Sequence, residues 1–159
     1  MCIVKLQGVV ATVDASGPVV MGLVEKEIDA ATEAMNIATR LLRRGEDAGT
    51  FAVAVQAASK TVDAADSAAF LARQRVAEAR RVRNIVSAKF EALVETFEIA
   101  NEKAIHTGVK SHPQVSTSLT VAENVLHLCR PRALGSVEDF LQDSFVVQRM
   151  VSEAAQKIQ

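Results

Sequence analysis

Apolar residues recur every three or four positions along most of the chain, which is the spacing of one buried face of an α-helix. The first clear stripe lies in residues 18–44, and it ends in three arginines before Gly45. Cations are favoured at helix C-termini, and glycine readily adopts the left-handed conformation that ends a helix. We therefore predict a helix over 18–44. Its apolar stripe comprises Met21, Val24, Ile28, Ala31, Met35, Ala38 and Leu42.

A second, longer stripe follows residues 45–50, whose glycines and polar residues predict a tight turn. No glycine or proline occurs between Gly49 and Gly108. One helix over residues 50–107 would be roughly 87 Å long at about 1.5 Å per residue. The polar cluster within 59–67 is a candidate break, so one long helix and two collinear helices both fit this segment.

Two shorter helices are predicted after a linker at residues 107–114. The first has a capping box at Thr120–Glu123, and Pro131 is expected to limit it. The second begins at Ser136, which is followed three residues later by an acidic side chain. Residues 1–15 are ambiguous, because helical spacing is combined with β-branched residues and Gly8, which also permit a short strand or an extended arm.

These patterns predict an all-α fold, a helical bundle built on a long antiparallel hairpin. Residues 18–44 would pack against the first half of 50–107, and the two C-terminal helices against the second half. We expect one domain over 1–159. Alanines at the hairpin seam should be buried, since small side chains let helices approach closely. They are Ala58, Ala65, Ala69 and Ala72.

Composition supports a globular protein, with 49% apolar residues, 23% charged residues and a net charge of −1. The apolar segments are too short for a membrane span of about 20 residues, and the N-terminus does not resemble a secretory signal. Two distant cysteines are typical of reduced thiols. We expect a soluble protein in the cytoplasm or in a host cytosol.

Motifs for catalysis or metal binding are missing from the sequence. His106 shares a helical face with Glu98 and Glu102, but the Glu-x-x-His spacing of di-iron bundles fails. His127 and Cys129 supply only two of the four ligands that structural zinc requires. We therefore expect no catalytic residue, metal, cofactor or small-molecule substrate, and hence no enzyme.

Charge is segregated along the long helix. A basic stretch over 73–89 is a candidate contact for nucleic acid, although no aromatic side chain is interleaved to stack bases. Its cations are Arg73, Arg75, Arg80, Arg81, Arg83 and Lys89. An acidic face follows, formed by Glu91, Glu95, Glu98 and Glu102. Like charges one turn apart are unfavourable, so a cationic neighbour would relieve this face.

Arg73 and Arg80 lie on the same helical face as the four glutamates at 100° per residue. Two copies that cross antiparallel near residues 87–88 would place Arg73 opposite Glu102 and Arg80 opposite Glu95. The last helix offers a second candidate surface, because Phe145, Val146 and Met150 lie off its main stripe. That helix is either central in the bundle or an apolar interface.

We expect a non-enzymatic structural or interaction protein that self-associates, with coiled-coil-like stripes, or docks a helical partner. The alternative is a nucleic-acid-binding coat or nucleoprotein-like module that uses the arginine stretch. A weaker alternative is an adaptor or effector that acts on a host protein.

Overall fold

The computed structural model describes residues 2–158, and within them the chain forms five α-helices, one 3₁₀ turn and no strand. The all-α prediction is confirmed. No helix among these residues has both the length and the apolar character needed to cross a membrane. The helices are α1 (Cys2–Ser16), α2 (Pro18–Arg44), α3 (Ala48–His106), α4 (Pro113–Ala133) and α5 (Val137–Ile158), with the 3₁₀ turn at Val109–Ser111.

The chain divides into two compact units, Met1–Val76 and Ala77–Gln159, and α3 contributes residues to both. The expectation of a single domain stays a prediction. The sequence left residues 1–15 open between a helix, a short strand and an extended arm, and the described part of this segment belongs to helix α1, Cys2–Ser16. The side chains of Val9 and Val13 are the buried face of this helix.

The first unit buries small apolar side chains from all three of its helices. Four residues of the predicted α2 stripe are buried, namely Val24, Ile28, Ala31 and Ala38. Met21 and Met35 are half-buried, and Leu42 is 62% exposed. The four seam alanines of α3 are all at most 5% exposed, as predicted. Lys5 of α1 forms ion pairs with Asp63 and Asp66 of α3. These are exposed pairs, so apolar burial supplies most of the stability.

The turn between α2 and α3 follows from two local residues. Gly45 adopts φ 68° and ψ 32°, the left-handed conformation that ends α2. Asp47 begins α3, because its carboxylate accepts the backbone N–H groups of Gly49 and Thr50 at 2.9 and 3.0 Å. Beside the turn, both helices line a pocket of about 240 Å³. Pairing along the rest of the hairpin stays a prediction.

The polar cluster at 59–67 does not interrupt α3, which is one helix from Ala48 to His106. Within the cluster, the hydroxyl of Ser67 donates to the carbonyl of Asp63, and that of Thr61 to Ala58. These hydroxyls find acceptors on the helix itself, so they do not force a break.

The second unit has a core in which the latter part of α3 meets α4 and α5. The two C-terminal helices therefore pack on the second half of α3, as predicted. Phe140 is the largest fully buried side chain, at 1% exposure. The buried residues are Ala79, Val82, Val86, Phe90, Leu126, Cys129, Ala133, Phe140, Val147, Val151 and Ala154.

Both predicted limits of α4 are wrong. The helix begins at Pro113, so Thr120 lies in its interior, and its hydroxyl donates to the carbonyl of Ser116 instead of capping. Proline is well suited to the first helical position, which explains the earlier start. Pro131 lies inside the last turn of α4. Its missing N–H removes the helical hydrogen bond to the carbonyl of His127, and this cost is small near a helix end.

Helix α5 starts where the sequence predicted, but it contains a kink that was not predicted. The hydroxyl of Ser136 accepts the N–H of Asp139 at 3.3 Å, and the Asp139 carboxylate accepts the N–H of Ser136 at 2.9 Å. This is a reciprocal capping box. Asp143 then departs from helical geometry, at φ −149° and ψ 36°, and kinks α5. The sequence pattern gave no indication of this kink.

Candidate functional site

An open groove of about 670 Å³ lies in the second unit between α3 and α4. We call it the acidic groove. Its floor is apolar and consists of Phe90, Val94, Phe97, Leu126 and Leu134. Its rim carries three glutamates from α3 and three polar residues from α4. The rim residues are Glu91, Glu95 and Glu98 on one side and Glu123, His127 and Arg130 on the other.

The two walls of the acidic groove are antiparallel helices. The Ser87 hydroxyl of α3 donates to the Ala133 carbonyl of α4 at 3.3 Å. Further along α3, Phe97 lines a second pocket together with Ala122, which precedes Ala133 by three turns of α4. An increase in residue number along α3 therefore corresponds to a decrease along α4.

This direction gives the acidic groove two chemically different ends. Glu98 and Glu123 lie at one end, where both walls contribute a carboxylate. Glu91 and Arg130 lie at the other end, where the two walls contribute opposite charges. The negative potential is therefore concentrated at the Glu98–Glu123 end.

The rim charges are turned toward solvent. All six rim side chains are exposed. Among residues 2–158, the ion pairs of the second unit join Arg81 to Glu78 and Arg149 to Glu153, and neither involves the groove. The floor is only partly covered, since Val94 and Phe97 are half-buried and Leu134 is 41% exposed. A partner could therefore cover apolar surface and meet unneutralised carboxylates at the same place.

The structure brings together three of the four predicted glutamates. Glu102 is exposed on α3, but it does not line the acidic groove. Arg73 and Arg80, their proposed partners in a second copy, are also exposed. The continuous helix that this pairing requires is present in α3. The pairing of two copies stays a prediction.

The basic stretch does not act as one free surface. Arg81 makes a bidentate contact with the Glu78 carboxylate, at 2.8 and 2.7 Å. Arg83 donates from Nε to the carbonyl of Gly135 at 2.7 Å, where it holds the loop before α5. The other four cations, Arg73, Arg75, Arg80 and Lys89, are exposed.

The second predicted surface is split by the fold. Phe145 is 76% exposed, whereas Val146 and Met150 are half-buried. Phe145 follows the kink at Asp143 by two residues, and at 100° per residue it lies nearly opposite buried Val147 on α5.

The histidines and cysteines remain dispersed. In the part of the chain that the structure describes, no group of three or more metal-ligating side chains could hold an ion. His106 is exposed at the end of α3, and Cys2 is half-buried. Cys129 is buried, and desolvation raises the pKa of its thiol. A raised pKa lowers the thiolate fraction and with it the reactivity.

The α4 side of the acidic groove was not predicted from the sequence. Glu123, His127 and Arg130 follow the same i, i+4, i+7 spacing as Glu91, Glu95 and Glu98. That shared spacing could have indicated a polar face on α4 like the one on α3. Only the packing of α3 against α4 shows that these two polar faces lie side by side.

Comparison with known proteins finds no family model, no curated protein and no solved structure that matches this chain.

Proposed function

We propose that this chain is a non-enzymatic interaction protein that self-associates or docks a helical partner, with the acidic groove as its docking surface. The observation that carries the proposal is the apolar floor, whose residues Val94, Phe97 and Leu134 are only partly covered within the second unit. Partly covered apolar surface framed by polar residues is typical of interaction sites.

The chemistry of the rim supports the same proposal. Carboxylates one turn apart on α3 repel each other, and a bound partner with cations would relieve this repulsion. Nucleic-acid binding is the weaker proposal, because Arg81 and Arg83 already have partners within the chain. A cytosolic location also belongs to the proposal, and two cysteines without a disulfide are in keeping with it.

Light scattering over a range of concentrations, combined with peptide binding, tests the proposal. We expect either a mass above the 17.0 kDa of one chain or binding of an amphipathic helical peptide. The peptide panel contains one cationic, one neutral and one anionic sequence with the same apolar face. Leu134→Ser should weaken whichever association occurs, since it removes apolar surface from the floor.

Leu128→Ser is the matched control, because Leu128 is 72% exposed on α4 and does not line the groove. It should leave association unchanged. A chain that stays monomeric at every concentration and binds none of the three peptides contradicts the proposed function. So does an association that Leu128→Ser and Leu134→Ser weaken equally.

A further inference from the structure

The acidic groove is as long as two turns of one more helix. Its α3 wall extends from Glu91 to Glu98, which is about two helical turns, or roughly 10 Å at 1.5 Å per residue. A helix packed on two antiparallel neighbours places its apolar residues between them at interaxial distances of about 8–10 Å. Such an occupant presents anchors at i, i+3 or i+4, and i+7.

The charge of the rim selects the occupant. Four carboxylates face a single permanent cation, Arg130. An anionic helix, a nucleic-acid backbone or an anionic membrane surface would bring like charge against the rim. Lysine and arginine can instead lay their methylene stems on the apolar floor and place their charges at the carboxylates.

We infer that the acidic groove binds a cationic amphipathic helix of another protein, with the cations of that helix clustered against Glu98 and Glu123. The inference rests on the proposed function and specifies its partner. At the Glu98–Glu123 end both walls are acidic, so a bound cation meets two carboxylates. At the other end Arg130 repels a cation that Glu91 attracts, so that end favours apolar or neutral residues.

Fluorescence anisotropy with the cationic peptide of the panel tests this inference. The peptide has about 18 residues, enough for a stable helix, with leucines on one face and lysines clustered in one half. The glutamates at the acidic end are neutralised together, as Glu98→Gln with Glu123→Gln. We expect this variant to bind about fivefold more weakly, because two exposed charge contacts are lost.

Two control variants separate local recognition from general attraction. Glu25→Gln with Glu46→Gln removes the same two charges from exposed positions of the first unit that do not line the groove, and it should change the dissociation constant less than about twofold. Glu91→Gln acts at the end that holds Arg130, and it should also have the smaller effect. Circular dichroism verifies that each variant keeps its helical content.

Three results would overturn the inference. The first is equal binding of the cationic, neutral and anionic peptides. The second is an equal loss from the Glu25–Glu46 control and from the Glu98–Glu123 variant. The third is a dimer, detected by light scattering, that the Glu98–Glu123 variant dissociates and that excludes the peptide. In that third case the occupant is a second copy, and the proposed function survives.

Discussion

Two acidic side chains, Asp47 and Asp139, organise the starts of helices by accepting backbone N–H groups. Asp47 also accepts a hydrogen bond from the hydroxyl of Thr50. Asp139 accepts the hydroxyl of Ser136 at 3.0 Å in addition to its backbone N–H. Each of these contacts replaces water at a helix terminus whose first N–H groups have no acceptor within the helix.

The cap at Asp47 makes stability depend on pH in a defined direction. The Thr50 hydroxyl, with the backbone N–H groups of Thr50 and Gly49, lowers the pKa of Asp47. A carboxyl with a lowered pKa stabilises the folded chain fully above its unfolded pKa of about 3.9. That contribution is lost as the pH falls through the folded value. We therefore expect Asp47→Ala to lower the melting temperature at neutral pH, by an amount that shrinks in acid.

Thermal unfolding followed by circular dichroism across this pH range measures the effect. Glu46→Ala is the control, because Glu46 is the adjacent exposed carboxylate and has no side-chain hydrogen bond among residues 2–158. A melting-temperature difference for Asp47→Ala that stays constant with pH would contradict the prediction.

At the scale of the helix, α3 in the first unit is held by alanine packing. Ala65 is 0% exposed, and Ala58 and Ala69 on the same face are at most 2% exposed. Because alanine leaves little space between helices, a larger side chain at this face must displace its neighbours. Overpacking of this kind forces side chains out of their preferred rotamers.

Ala65→Leu should therefore lower the free energy of unfolding by about 1–3 kcal/mol. Ala64→Leu is the matched control, because Ala64 is the preceding residue of α3 and is exposed. Leucine and alanine have similar helix propensities, so the control should change stability little. Chemical denaturation measures both variants. Equal effects of the two substitutions would show that the seam tolerates the added volume.

The three-four spacing of apolar residues predicted a helix correctly where residues that start or stop a helix flank the apolar stripe. Residues 18–44 form α2 to the residue, because Pro18 and Gly45 mark its limits. Periodicity failed for α4, whose true start at Pro113 precedes its apolar stripe. It could not locate the kink at Asp143, which lies between buried Phe140 and Val147. A seven-residue step between buried positions fits a straight helix and a kinked one equally well.

Of the candidate site, the α3 side could be predicted from the sequence and the α4 side could not. The glutamates of α3 are visible as a pattern on one helix. The groove also depends on which face of α4 lies beside them, and that follows from core residues such as Phe90, Leu126 and Cys129. Which face of α3 packs beside which face of α4 depends on tertiary structure, so the sequence of either helix taken alone does not specify it.

For the molecule as a whole, the arrangement of charge matters more than its total. A net charge of −1 gives no long-range steering, yet residues 73–102 of α3 present mainly cations first and carboxylates afterwards. Such an order along one helix can set the register and direction of a partner helix. The groove is assigned to a foreign cationic helix, whereas the pairing of two copies through the charge order of α3 stays a separate prediction.

The pairing of two copies can be tested apart from groove docking through Arg80. Arg80 and Glu95 are exposed on α3. In an antiparallel crossing near residues 87–88, Arg80 of one copy would lie opposite Glu95 of the second copy, and the two-fold symmetry would repeat this contact. Exposed ion pairs contribute only about 0–1 kcal/mol each, so charge would set the register while apolar contacts supply affinity. Arg80→Glu should then raise the dimer dissociation constant about tenfold, through two symmetric contacts. Adding Glu95→Arg should restore the original dissociation constant.

Lys89→Glu is the control, because Lys89 lies on the opposite face of α3 from Arg80 at 100° per residue. Sedimentation velocity measures association, and Arg80→Glu alone should leave cationic-peptide binding intact because Arg80 does not line the groove. A dimer that Arg80→Glu and Lys89→Glu weaken alike, or that Glu95→Arg does not rescue, would show that the copies meet through another surface.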